Sequence, residues 1–244
     1  MYGELINNPH ILPYSPKKYF EFENRFRLVQ QLYDNPLAAT KIFTANDENN
    51  ILYAIKEIKK GKLKDTFAYQ LARNELSIHY SLSKKSNFIA NVPEYFENDN
   101  SFYMVMEYCN NPNYFQYRLE NVYIPLPKKL KQFDNEAKLK HYALNILYGL
   151  ADIHKSNVIH CDIKPDNFLL FTNDYELNTS SNEDDSENIS LVDQDHLVKI
   201  TDFGLAHIIS QGNTRTYLKH PCGSFGYSAP EKKSVSKTLY ILLR

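Results

Sequence analysis

Eight consecutive residues, His160 to Asn167, read H-C-D-I-K-P-D-N and constrain this chain more than any other stretch. They place a carboxylate (Asp162), an ammonium (Lys164) and a side-chain amide (Asn167) on one short loop. Transfer of a phosphoryl group from a nucleotide needs those three groups. The carboxylate orients a hydroxyl nucleophile and accepts its proton, a fixed cation offsets charge on the moving group, and a neutral oxygen helps to hold Mg²⁺. Downstream, I-T-D-F-G adds a further carboxylate, Asp202, and A-P-E follows at Ala229 to Glu231.

A chain of 244 residues can bury a substantial core in one domain or two small lobes. Its 28 basic side chains nearly balance 29 acidic ones, which gives no electrostatic case for nucleic acid or a membrane surface as partner. Cys109, Cys161 and Cys222 are widely spaced and form no metal-type pair, as expected of reduced thiols in an intracellular, cytoplasmic or nuclear, protein. No apolar run approaches the ~20 residues of a membrane span. The N-terminus lacks the plan of a signal peptide, and residues 1–20 read as a flexible arm.

Strands are expected at Phe26–Leu32, Thr40–Ala45 and Ile51–Ile58, the last two joined by the polar turn Asn46–Asn50. On the third strand Ala54 and Lys56 share a face, because side chains alternate. A charged connector, Lys59–Asp65, leads to a helix over Phe67–Leu82 that carries Glu75. Strands at Val92–Glu97 and Phe102–Tyr108 flank the turn Asn98–Asn100. Farther on, Leu139, Tyr142, Ala143, Ile146, Leu150 and Ile153 recur at the spacing of one buried helix face. The fold class is therefore α+β, strand-rich in its first half and helical in its second. An acidic segment, Asn173–Asp195, separates strands at Phe168–Phe171 and Leu197–Thr201 and reads as a surface insertion.

In this order the motifs resemble a eukaryotic-type protein kinase from about Phe26 to Glu231. The resemblance implies a two-lobe fold. Its N-lobe (21–108) holds an antiparallel sheet and one helix, and its helical C-lobe (109–244) is incomplete and carries the insertion at 173–195. Y-A-I-K at Tyr53–Lys56 looks like the lysine motif of the third strand, so Lys56 would hold nucleotide phosphates with Glu75, 19 residues on, as its carboxylate partner. Met106 would be the gatekeeper, with the backbone of Glu107 and Cys109 bonding the adenine. Asp162 and Lys164 match the catalytic positions, and Asn167 and Asp202 the metal positions. The implied cofactors are ATP and Mg²⁺, and the implied partner is a protein substrate with a serine or threonine. Lys164-Pro165 and Ser224, in C-G-S-F-G-Y-S-A-P-E, resemble serine/threonine rather than tyrosine kinases. The asparagine- and tyrosine-rich composition and the long acidic insertion look like some yeast nutrient-signalling kinases.

The chain departs from the family pattern in three places. No glycine stands between Gly3 and Gly61, so the phosphate-covering loop expected over Tyr33–Thr40 lacks the residues whose backbone approaches phosphates most closely. Cys161 replaces the arginine before the catalytic aspartate, and His220 stands where the family's phosphorylated threonine is expected; Cys161 reads as a small buried residue behind the loop. Only Lys232–Arg244 follow Glu231, which reads as a truncated C-lobe with weak or no activity and an apolar face that a partner would cover. Two functions follow from these features: a serine/threonine kinase, or a non-catalytic pseudokinase or kinase fragment acting as a binding module.

Overall fold

The computed structural model describes residues 8–34, 37–109, 136–172, 196–209, 215–218, 223–224, 226–228 and 239–242. Six strands form the first lobe's sheet in the order β1-β5-β6-β4-β3-β2: β1 (Lys17–Lys18), β2 (Arg27–Asp34), β3 (Thr40–Asn46), β4 (Leu52–Lys59), β5 (Glu94–Glu97) and β6 (Ser101–Glu107). All neighbours are antiparallel except β1 and β5. Asparagine and aspartate make the tight turns. Between β3 and β4, Asp47 Oδ1 accepts from the N–H groups of Asn49 and Ile51, and Asn50 takes φ 60°. Between β5 and β6, Asn98 Oδ1 accepts from Asn100 and Ser101. Short polar side chains close such turns by standing in for backbone acceptors.

Alternation along β4 and β6 gives the sheet two buried faces. Ile55, Tyr103 and Val105 pack with Phe22, Phe26, Ala45 and Phe96 on one face. Ile58, Phe102 and Met104 pack on the other with Ala72 and Leu76 of α2 (Thr66–Ser83). Lys56 has the parity of Ile58, so it faces the helix. Asp65 caps α2 by accepting from Ala68 N at 2.8 Å, worth about 1 kcal/mol.

The arm is not loose over residues 8–20. Asn8 is buried, β1 joins the sheet edge, and α1 (Tyr19–Arg25) sets Phe22 into the core. Its short, aromatic-rich sequence carries no long periodic signal, so α1 went unread. Phe26, expected in the first strand, ends α1 and is buried, while β2 is exposed along its length.

In the second lobe α3 (Glu136–Lys155) packs on the hairpin of β8 (Phe168–Thr172) and β9 (His196–Ile200). Its buried face is turned from the one expected. Tyr142 and Ile153 are buried, Ile146 and Leu150 half-buried, but Leu139 is 45 % exposed and Ala143 exposed. His141, Asn145 and Gly149 are buried instead. The hairpin presents polar backbone to the helix: Asn145 Oδ1 accepts from Val198 N at 2.9 Å, and a His141 ring nitrogen meets His196 O at 2.7 Å. Gly149 admits Ile200, whose Cδ1 would lie 2.9 Å from an added Cβ. A hydrophobic pattern cannot register these polar and small contacts.

A short pair, β7 (Val158–Ile159) with β10 (His207–Ile208), brackets the catalytic-loop motif, and β11 (Arg215–Leu218) pairs with β12 (Leu239–Leu242). The lobes join where Ala90 N donates to Ile200 O and Ile200 N to Phe88 O. Ile78, Leu82, Ile89, Ile153, Val158, Ile200 and Phe203 form the core beneath that junction. No described helix is long and apolar enough to cross a membrane.

The insertion, 173–195, lies outside the described residues, but its flanks Thr172 and His196 are cross-strand partners. A short turn can therefore join them, and loop length changes closure entropy only slowly. Replacing 173–195 with a short Gly/Asn turn is expected to leave soluble yield unchanged and the melting temperature within a few degrees of the parent by thermal unfolding.

Candidate active site

Three elements meet at one ammonium. Lys56 on β4 bonds Glu75 Oε1 on α2 and Asp202 Oδ1, the latter at 3.0 Å, in the loop after β9. Burial opposes the Lys56 charge, but Glu75 and Asp202 outweigh it and lift its pKa above the ordinary lysine value. The Lys56 ammonium in turn holds Asp202 down at about 2. Glu75 is buried, and its neighbours Ala72 and Leu76 on α2 pack on the sheet.

The catalytic-loop motif is held by its own first residue. His160 is buried, and one ring nitrogen, Nδ1, accepts from Asp162 N at 3.2 Å. Nε2 therefore carries the proton and donates to Thr201 O at 3.0 Å. The same ring packs on Phe203 at 4.9 Å, and His79 of α2 packs on Phe203 at 4.9 Å. Burial, and then the Lys56 ammonium, push His79 down to about 3, so it sits neutral in this stack. Cys161 is buried as expected, at φ 68°, and Asp202 has φ 64°. Non-glycine residues in the left-handed region are uncommon and cluster at functional sites.

Asp162, Lys164 and Asn167 converge. Lys164 Nζ lies 3.4 Å from Asp162 Oδ2, and Asn167 Nδ2 donates to Asp162 O at 2.7 Å. With its nitrogen bonded to Asp162, Asn167 keeps its amide oxygen as an acceptor. Asp202 and Asn167 could supply one carboxylate and one neutral oxygen, donor types that suit a hard divalent cation. The described residues contain no separate cluster of three or more His, Cys, Asp or Glu that would hold a metal.

Ser224 and Gly223 were not read as partners of this loop. Ser224 N donates to Asp162 Oδ1 at 2.8 Å, and Lys164 Nζ donates to Ser224 Oγ at 3.1 Å. Gly223 has φ 98°, and a Cβ there would lie 2.6 Å from Cys161 O. Sixty residues separate these groups in sequence, so only the glycine in C-G-S hinted at a close backbone approach.

Of the expected adenine contacts, Met106 is half-buried beside Leu76 and Met104. The Glu107 N–H is engaged by Asn91 O at 2.9 Å, so it is not open to a ligand. Glu107's carboxylate takes Lys199 Nζ at 2.7 and 2.8 Å. Cys109 is buried, and its thiol donates to Leu170 O at 3.1 Å. Residues 35–36 of the expected phosphate loop lie outside the described residues, as do Ala229–Glu231, His220 and Cys222. Asp34, at the start of that loop, is paired with Lys41, which neutralises the charge that would repel phosphates.

Residues 39–238 match the family model described as protein kinase domain. The chain belongs to the protein kinase domain family. It is 30 % identical over 222 residues to serine/threonine-protein kinase cds1 of Schizosaccharomyces pombe, covering 89 % of this chain and 40 % of that protein. It is 29 % identical over 191 residues to human NUAK family SNF1-like kinase 2, covering 78 % and 24 %. To the probable serine/threonine-protein kinase PLK of Dictyostelium discoideum it is 27 % identical over 184 residues, covering 75 % and 15 %. The chain thus spans two fifths or less of the length of these relatives.

Two outcomes test this geometry. Asp202 at about 2, against an ordinary 3.8, contributes stability that is complete above about pH 4 and is lost as pH falls through 2. Between pH 5 and 2 the urea midpoint of the wild type should therefore fall more than that of Asp202→Asn; parallel profiles would refute the pairing. Gly223→Ala should cost about 1–3 kcal/mol in urea unfolding, because it forces a side chain into a left-handed position against backbone.

Proposed function

We propose that this chain is the catalytic part of a serine/threonine protein kinase that transfers the γ-phosphoryl group of ATP to a protein hydroxyl with Mg²⁺. The observation that carries this reading is the convergence of Asp162, Lys164 and Asn167 with a Lys56 ammonium held by both Glu75 and Asp202. Asp162 orients the serine or threonine hydroxyl and accepts its proton as the oxygen bonds to phosphorus and the bond to the β-phosphate oxygen breaks. Lys164 offsets charge on the transferring group. Lys56 binds the α- and β-phosphates, and Met106 and the backbone of Cys109 border the adenine. Asn167 and Asp202 would hold Mg²⁺, which neutralises phosphate charge when bound.

The serine/threonine reading is supported by the resemblance of Lys164-Pro165 and Ser224 to that branch of the family, and Ser224 bonds both Asp162 and Lys164. The relatives give no support to a yeast nutrient-signalling subgroup, which forms no part of the proposal. A second reading, a non-catalytic binding module, is favoured by one observation: the glycine-free stretch where phosphates would be covered.

The deciding measurement is phosphate transfer to a serine/threonine peptide library by the full chain. Turnover is expected with MgATP, and Asp162→Ala should lower it by at least ~100-fold, the scale of general-base loss. Asp202→Ala should abolish the dependence of ATP affinity on Mg²⁺ in a calorimetric titration. ATP binding without turnover in the wild type would leave the binding-module reading standing and refute catalysis.

A further inference from the structure

The ridge of α2 that faces away from Lys56 is covered by the chain's own N-terminal arm. Arg73, Ser77, Ser81 and Lys85 follow one another at four-residue spacing, so they line one side of the helix and the turn beyond it. Glu75 lies two residues from Arg73 and from Ser77, about 200° round the helix and so on the opposite side. Ser77 and Ser81 are 1 % and 0 % exposed. Small polar residues at such burial on the back of a helix need a cover.

Residues 8–18 provide that cover and are fastened at both ends. In the second lobe Asn8 Nδ2 donates to Ser156 O at 2.9 Å, just past α3, and Ile11 packs on the core around Ile78, Leu82, Ile153 and Val158. Along α2, Lys85 Nζ donates to His10 O at 2.7 Å and Leu12 N donates to Ser81 Oγ at 2.8 Å. Tyr14 then lies under the Arg73 guanidinium, which stands 4.2 Å from the Tyr14 ring centroid, and packs tilted on Tyr95 and edge-on to Phe102. The Tyr14 hydroxyl donates to Glu97 Oε2 at 2.9 Å, and Ser15 N donates to Tyr95 OH at 2.8 Å. In the first lobe Lys17 pairs with Glu94 and β1 runs along β5.

We propose that residues 8–18 are a positioning strap, with Tyr14 as its central anchor, that presses α2 against the sheet and so keeps Glu75 on Lys56. A strap tied to both lobes resists the outward swing of α2 that would part the pair. Besides α2 it touches β5, β6 and the core beneath the lobe junction, and its effect on Glu75 runs through α2. This role rests on the kinase reading for its consequence in catalysis, but the mechanical claim stands apart from it.

The test is hydrogen exchange by mass spectrometry on the full chain, with melting temperature recorded for every variant. In Tyr14→Ala the amides of residues 73–83 should exchange roughly tenfold faster or more, while those of residues 141–153 in α3 keep their protection. Tyr14→Phe retains the ring contacts and should stay within about threefold of wild type. Asn8→Ala, which releases the far anchor at Ser156, should loosen the same segment and serves where Tyr14→Ala does not fold. Unchanged exchange of α2 in a folded variant, or equal acceleration of α2 and α3, would overturn the strap. Phosphate transfer is read in parallel: if the wild type turns over, Tyr14→Ala should raise the KM for ATP with Tyr14→Phe restoring it. A wild type without turnover whose α2 still loosens on Tyr14→Ala keeps the strap and refutes the kinase reading alone.

Discussion

One buried ammonium organises this molecule. Lys56 sits between two carboxylates that arrive from separate elements, Glu75 on α2 and Asp202 after β9. Taking a charge out of water is costly, so the arrangement persists only with its partners in place; removing one partner of such a buried group costs about 3–5 kcal/mol. The orientation of α2 is thereby linked to the loop that carries Asp202, and through Phe203 to His160 and the catalytic loop. Displacing the helix would disturb Asp202 and the loop that carries Asp162 together.

Local strain is concentrated around the same centre. Cys161 and Asp202 both adopt left-handed backbone, and Gly223 approaches Cys161 O where no side chain fits. Such conformations cost about 1–3 kcal/mol each and survive only when surrounding contacts over-determine them. Here those contacts are the His160 bonds to Asp162 N and Thr201 O, the Asn167 bond to Asp162 O and the Ser224 bonds to Asp162 and Lys164. They hold the carboxylate, ammonium and amide in a fixed mutual geometry before any substrate arrives, which is the condition for rate enhancement by positioning.

Two further ties cross between the lobes. Lys199 of β9 grips Glu107 at the end of β6 with two bonds and lies over Phe171, while the N-terminal residues cross behind α2 from Ser156 to β5. One tie joins β9 to the end of β6 and the other runs behind the helix, and both lie outside the H-C-D-I-K-P-D-N loop.

The sequence by itself determined most strands of the first lobe and helix α2, because alternation and helical spacing are local properties that survive without tertiary context, and its motifs paired Lys56 with Glu75 through the family resemblance. It also determined the convergence of Asp162, Lys164 and Asn167, since the short loop leaves those groups little room to separate. Three features were decided only by the tertiary structure. The arm packs because Asn8, Ile11 and Tyr14 find partners 148, 67 and 83 positions or so away, beyond the reach of any window. The buried face of α3 turned toward His141, Asn145 and Gly149 because a hairpin edge demands hydrogen bonds and close approach, which apolar periodicity does not encode. Ser224 and Gly223 reached the catalytic loop because the chain folds back over some sixty residues, and a long-range backbone contact leaves no local pattern except a glycine.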